Sequence, residues 1–187
     1  MKPDSEKQYM DSSVIFDKNV VEMVTVSAEY CTFLENSESC SQDHFIDVMS
    51  KMLPLLYLKA SMLPEFDIDE DIDVKESVTE ADYDYIREIT ARIISDQDDY
   101  LEVFVEEMRY SDTPIRKCIS EDLADIYQAL KNFVESFKSA DNQIMTQSVA
   151  ICRDGFAEYW GQTLANTLRA IHAAKFRQFS QPDAFED

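Results

Sequence analysis

The chain has 187 residues, 45% of them hydrophobic, enough for one folded domain with its own core and too apolar for disorder. Its 38 acidic and 17 basic side chains give a formal net charge of −21, a field that repels phosphate backbones and anionic lipid and argues against direct binding of either. Only two glycines and five prolines occur, too few for a fold of tight hairpins, so the expected class is all-α: a single-domain bundle of five or six helices.

Residues 1–12 are polar and expected to form a flexible N-terminus, 13–179 the helical bundle, and 180–187 a flexible C-terminus. A first helix is expected over 16–35, where Phe16, Val20, Val24, Ala28, Cys31 and Leu34 recur at three- and four-residue steps. "ENSESCSQ" then breaks the pattern; Ser39 with Gln42 fits a capping box, and Asp43 suits the positive end of a new helix. The second helix, over 42–62, is apolar nearly all round in its latter half and is expected to be the central one, kinked or broken at Pro54.

The stretch "EFDIDEDIDVKESVTEADYDYI", 65–86, holds ten acids against Lys75 alone. Thr79 opens a third helix, with Glu80 and Asp82 in its first turn and an inner stripe of Ile86, Ile89 or Thr90, and Ile93. "YLEVFVEEM", 100–108, alternates like a strand, but with no evident partner it is assigned to a short helix. Thr113–Pro114 reads as an N-cap and first helical residue, leading a helix with Ile119, Leu123, Ile126, Tyr127, Leu130, Phe133, Val134 and Phe137 on one face. Asp141 caps a last helix, 142–177, with Ile144, Ser148, Ile151, Cys152, Phe156, Trp160, Leu164, Leu168 and Ile171 as its stripe. Unbroken it would reach about 50 Å, but Gly155 and Gly161 invite a bend.

Charge is unevenly spread. Residues 65–107 hold 17 acids and 3 bases, whereas 159–182 hold Arg169, Lys175, Arg177 and no acid, so the two segments are expected to meet. An EF-hand frame starting at Asp69 would use Asp71, Asp73, Ser77 at position nine and Glu80 at twelve. Val74 stands where that loop needs glycine and Glu76 where it needs an apolar residue, so a solvated, self-repelling connector is the preferred reading. Neither His44 nor His172 follows a glutamate by three residues, against a di-iron bundle, and two glycines cannot build a P-loop or dinucleotide loop. No Cys-x-x-Cys pair occurs among Cys31, Cys40, Cys118 and Cys152, which is consistent with free thiols in a cytoplasmic location. Cys152 and His172, twenty residues apart on one helix, would lie on opposite faces and not form a nucleophile–base pair. No signal peptide or membrane span is read, and no cofactor is implied. The residues singled out for a partner or ligand are Trp160, for which anchoring the core is the preferred reading, and the neighbours Arg169 and His172, for which pairing with acids of 65–107 is preferred.

The phrases "MLPLLYLKASMLPE", "DDYLEVF", "ISEDLADIYQALKNF" and "YWGQTLANTLRAIHAAKFR" resemble a Bacteroidetes family of small helical proteins classed as domain of unknown function 5063, over about residues 16–178. The resemblance implies an all-helical cytoplasmic protein and supplies no catalytic residue, cofactor or substrate. The first functional expectation is a non-catalytic acidic accessory protein docking a basic partner, such as a nucleic-acid-processing enzyme. The alternatives are a small-ligand or metal-binding helical protein, and an enzyme whose carboxylates converge from separate helices.

Overall fold

A computed structural model describes residues 14–65, 71–102 and 115–177. In chain order these form α1 (Lys18–Glu35), α2 (Gln42–Ala60), α3 (Glu80–Ile94), a 3₁₀ turn (Ser95–Gln97), β1 (Asp99–Glu102), β2 (Ile115–Cys118), α4 (Ile119–Phe137), α5 (Asn142–Gly155), a π turn (Phe156–Trp160) and α6 (Gly161–Phe176). The all-α expectation holds, with one small antiparallel ribbon added. The termini expected to be flexible lie outside the described residues.

The helix starts are set by side-chain caps that satisfy otherwise orphaned backbone N–H groups. Asp17 caps α1 by accepting from Asn19 N. Ser41, not Ser39, caps α2, accepting from His44 N at 3.4 Å, with Asp43 in the first turn. Thr79 and Asp82 form a full capping box on α3, and Asp141 caps α5. The inner face of α1 falls on Val20, Met23, Ser27, Tyr30, Cys31 and Leu34; Phe16 lies outside the helix and is 75% exposed. Pro54 does not break α2, which continues to Ala60. On α3 the inner stripe is Ile86, Ile89, Thr90 and Ile94, with Ile93 only partly buried.

The central helix is α4 and not α2. It packs against α1, α3, α5 and α6, whereas the latter half of α2 leaves Leu55, Tyr57 and Leu58 exposed, as is Met62 just beyond it. All but one of the residues expected on the α4 face are buried, Phe137 being only partly so. Tyr30 fixes α1 to α4 by donating its phenol to the Leu123 carbonyl at 2.8 Å.

Two expectations between α3 and α4 need correction. Asp99–Glu102 is strand, and the partner it lacked in the sequence is Ile115–Cys118, paired Tyr100 to Lys117 and Leu101 to Arg116. Alternation was the better guide, because the partner lay hidden inside what read as the start of the next helix. That helix begins at Ile119, and no side chain of its own N-cap residue, Cys118, caps it. Asp98, across the ribbon, accepts from Ser120 N and from the Ser120 hydroxyl, both at 2.7 Å, and so caps α4 from a distance. Thr113, Pro114 and residues 103–108 lie outside the described residues.

Candidate functional site

Residues 72–79 form a strap beside α4 that is neither helix nor strand. Its backbone cannot pair within itself, and Asn132 of α4 supplies the missing acceptor. The Asn132 Oδ1 atom accepts from Ser77 N (2.8 Å), the Ser77 hydroxyl (3.1 Å) and Val78 N (3.0 Å). Ser77, the ninth position of the EF-hand frame, thus spends both donors on an amide. Asp73 is exposed on the strap and Glu80 at the α3 start; among the described residues no three of His, Cys, Asp or Glu gather as a metal cluster, and Asp69 lies outside them.

The strap and first turns of α3 form an acidic face. Residues 71–88 carry seven carboxylates and two cations, Lys75 and Arg87. Arg87 is committed to Asp84 at 3.1 Å and Glu88 at 4.0 Å. Asp73, Glu76 and Glu80 are exposed and have no cation within ion-pair distance among the described residues. Tyr85, 48% exposed, stands among them.

The basic C-terminal segment does not neutralise this face. Arg169 is exposed and donates to the Leu101 backbone carbonyl at 2.6 Å; among the described residues it pairs with no carboxylate. Lys175 pairs with Asp47 of α2 at 2.9 Å and with the Ser50 hydroxyl. His172 is exposed and its ring lies tilted against Phe176, the centroids 4.7 Å apart. The structure therefore separates Arg169, on the ribbon, from Lys175, on α2, and brings neither to an acidic residue of 71–102.

Beside the strap, between α4 and α5, lies a cavity of about 470 Å³. Val74, Lys75 and Glu76 form its strap side; Asp125, Gln128, Asn132 and Phe133 come from α4, and Ile151, Cys152, Tyr159 and Trp160 from α5 and the π turn. Asp125 accepts from two phenols, Tyr83 at 2.8 Å and Tyr159 at 2.6 Å. Burial, and then the Asp125 carboxylate itself, push both phenols well above the ordinary tyrosine range, so they remain donors.

The π turn shapes this wall. It begins after Gly155 and ends at Gly161, whose N–H bonds back to the Phe156 carbonyl. A Cβ on Gly161 would stand 2.3 Å from that carbonyl oxygen, so only glycine fits. On Gly155 a Cβ would meet the Trp160 indole at 3.3 Å. The missing side chain lets the indole lie against α5, where its Nε1 donates to the Cys152 carbonyl at 3.2 Å. Trp160 is 1% exposed: it anchors the core and its ring also walls the cavity. Where a bend was expected in the last helix, the helical backbone runs on through this wide turn. Cys152 is buried with its thiol driven well above the usual range by burial, while His172 is exposed. They form no catalytic pair.

A second polar cluster holds the ribbon. Asp122, 2% exposed, accepts from the Tyr100 phenol and from Thr167 Oγ1 at 3.0 Å. Glu102, 8% exposed, accepts from Asn166 at 2.9 Å. Burial raises the Asp122 carboxyl above its usual range, against the opposing pull of the two hydroxyls. Tyr100, Leu101 and Glu102 are each clamped to α4 or α6, so these two converging carboxylates have an evident architectural task.

Sequence reasoning missed Asp122, Asp125 and Asn132. A signal was present for the first: Asp122 sits between Ile119 and Ile126 on the apolar stripe, where a lone acid demands partners.

The helical bundle, with its central α4 and strap, is the fold of a small all-α domain, and among the described residues no helix is long and apolar enough to cross a membrane. The chain belongs to the DUF5063 family, a domain of unknown function, whose family model matches residues 14–177. It is similar to the crystal structure of protein BF1032 from Bacteroides fragilis, a structural-genomics target, at 47% identity and TM-score 0.77. The match covers 87% of this chain and 99% of that one. No curated protein matches it.

Proposed function

We propose that this protein is a non-catalytic docking module of the cytoplasm, and that its acidic face receives a basic protein partner. The observation that carries the reading is the unneutralised cluster of Asp73, Glu76 and Glu80 on a strap that Asn132 holds in place. Much of the chain's positive charge is spent elsewhere: Lys59 on Glu22, Lys131 on Glu35 and Glu135, Lys51 and Lys175 on Asp47. Exposed like charges on a fixed backbone repel one another and cost stability, a cost that an opposite surface removes on binding. The four free cysteines fit a reducing compartment.

Co-purification from source cells tests this, comparing the wild type with the triple variant Asp73→Asn, Glu80→Gln, Glu88→Gln at low and moderate salt. A basic protein retained by the wild type at low salt, released by moderate salt and lost in the variant is the expected result. Equal retention by both proteins, or retention that ignores salt, contradicts the reading.

A further inference from the structure

The cavity between α4 and α5 shares Glu76 with the acidic face, and Asp125 on its wall is bonded to Tyr83 of α3. Whatever approaches the strap side meets the cavity next. Its volume of about 470 Å³ lies in the usual range for ligand sites, roughly 300–1,000 Å³. Its walls are divided in character. Asp125 and Glu76 supply negative charge, Gln128 and Asn132 supply amides, and Phe133, Trp160 and Ile151 are apolar. Tyr159, 55% exposed, and Ile151, 43% exposed, remain accessible to solvent. Such exposed apolar groups are consistent with an uncovered entrance.

The two phenols on Asp125 leave carboxylate lone pairs free, since a carboxylate offers about four acceptor sites. The exposed Tyr159 ring and the buried Trp160 indole lie on the same wall because the π turn, ended by a glycine that no other residue can replace without a clash, carries both. π turns inside helices are frequent at functional sites. A carboxylate beside an exposed aromatic ring suits a planar cation on an apolar stem: the guanidinium donates its N–H groups to the carboxylate and stacks on the ring, and the methylenes lie on the apolar wall. Lys75 is the one cation on the lining among the described residues; it is exposed on the strap, and its stem lets the ammonium swing into water.

From this charge complementarity and the exposed Tyr159 ring we infer that the α4–α5 cavity takes an arginine side chain of the basic partner, with Asp125 as its counter-charge and Tyr159 as its stacking surface. The inference rests on the docking reading and names its anchor. The acidic face steers the partner, and the cavity holds it, as desolvated anchor residues do at interfaces.

Trp160 is the only tryptophan, so its fluorescence reports directly on the cavity. The full chain is titrated with a capped hexapeptide carrying one arginine between leucines, with the same peptide carrying neutral citrulline, and with agmatine as a free guanidinium. The arginine peptide is expected to shift Trp160 emission saturably and to bind about tenfold or more tightly than the citrulline peptide, the scale of one charge-assisted hydrogen bond. Asp125→Asn, with a melting temperature near wild type, is expected to lose the same factor. Ile151→Arg, a change at an exposed rim position, supplies an internal competitor and is expected to weaken the peptide as well. Equal affinity for arginine and citrulline, an unmoved Trp160 signal, or wild-type affinity in Asp125→Asn overturns the inference. Agmatine binding as tightly as the peptide overturns its assignment to a protein side chain. The docking reading fails separately: there, Asp73→Asn, Glu80→Gln, Glu88→Gln, which leaves the cavity lining intact, keeps the partner. If that variant loses the partner while Asp125→Asn and Ile151→Arg retain it, the face docks and the cavity does not.

Discussion

At the scale of single residues, Trp160 and the two glycines around it make the sharpest demands. The indole is buried, walls the cavity and donates its N–H to the Cys152 carbonyl. Trp160→Ala removes that packing and is expected to cost about 3–5 kcal/mol in denaturant-unfolding free energy. A melting temperature that does not move would mean the ring is not part of the core. The glycines separate cleanly. Gly161→Ala forces a Cβ to 2.3 Å from a backbone carbonyl and is expected to cost about 3 kcal/mol or more. Gly155→Ala meets only the edge of the indole at 3.3 Å, which yields by a few tenths of an ångström. Its cost is expected to be about 1 kcal/mol or less. Equal losses for the two substitutions, measured by the same unfolding titration, would contradict the packing described for the π turn.

At the scale of elements, helices were legible wherever one face was consistently apolar. The α4 stripe, the Thr79 cap, the Asp141 cap and the irregularity between Gly155 and Gly161 all follow from local rules. The ribbon was not legible. Four residues of β1 alternate, but their partner strand is four residues that read as a helix start, and the cap of that helix comes from Asp98 through space. The centre of the bundle was misassigned for a related reason: the apolar wrap of α2 signals burial, yet hydrophobicity does not say which side has a neighbour, and Leu55 and Leu58 have water. The candidate site was legible only as an acidic run. Its geometry depends on Asn132, a residue that looks like one more polar position on a helix. Asn132→Ala removes the acceptor of three hydrogen bonds. Amide exchange at Ser77 and Val78 is expected to accelerate at least about tenfold, while α1 and α2 keep their protection, because local opening and global unfolding are separate equilibria. Unchanged exchange at both amides would show that something other than Asn132 holds the strap.

At the scale of the whole molecule, stability and charge are coupled through pH. The phenols of Tyr83, Tyr100, Tyr127 and Tyr159 are raised above 10 by burial and by the carboxylates they bond. The native state keeps protons that the unfolded chain releases, so this contribution is whole below pH 10 and is lost as the pH climbs beyond it. At the other end Lys51 and Lys175 hold Asp47 down to about 2, and Glu22, Asp82, Asp99 and Glu135 are lowered by their own partners. Their contribution is whole above the ordinary carboxylate range and lost as the pH falls toward about 2. Asp122 runs the opposite way: raised by burial, it favours the fold while protonated and ceases to as the pH rises through its shifted value. Urea midpoints across the pH range are expected to fall at both ends, with an alkaline limb beginning near pH 10. A flat alkaline limb would contradict the tyrosine–carboxylate bonds. A net charge of −21 also predicts self-repulsion near neutrality, so raising salt toward about 0.15 M is expected to raise the melting temperature.

The measurement that bears most directly on the docking claim is the salt dependence of partner binding by the native chain and by Asp73→Asn, Glu80→Gln, Glu88→Gln. The account predicts a basic partner whose affinity falls steeply with salt for the native chain, and weak binding with a shallower salt slope for the variant. Identical affinities and slopes for the two proteins would contradict it.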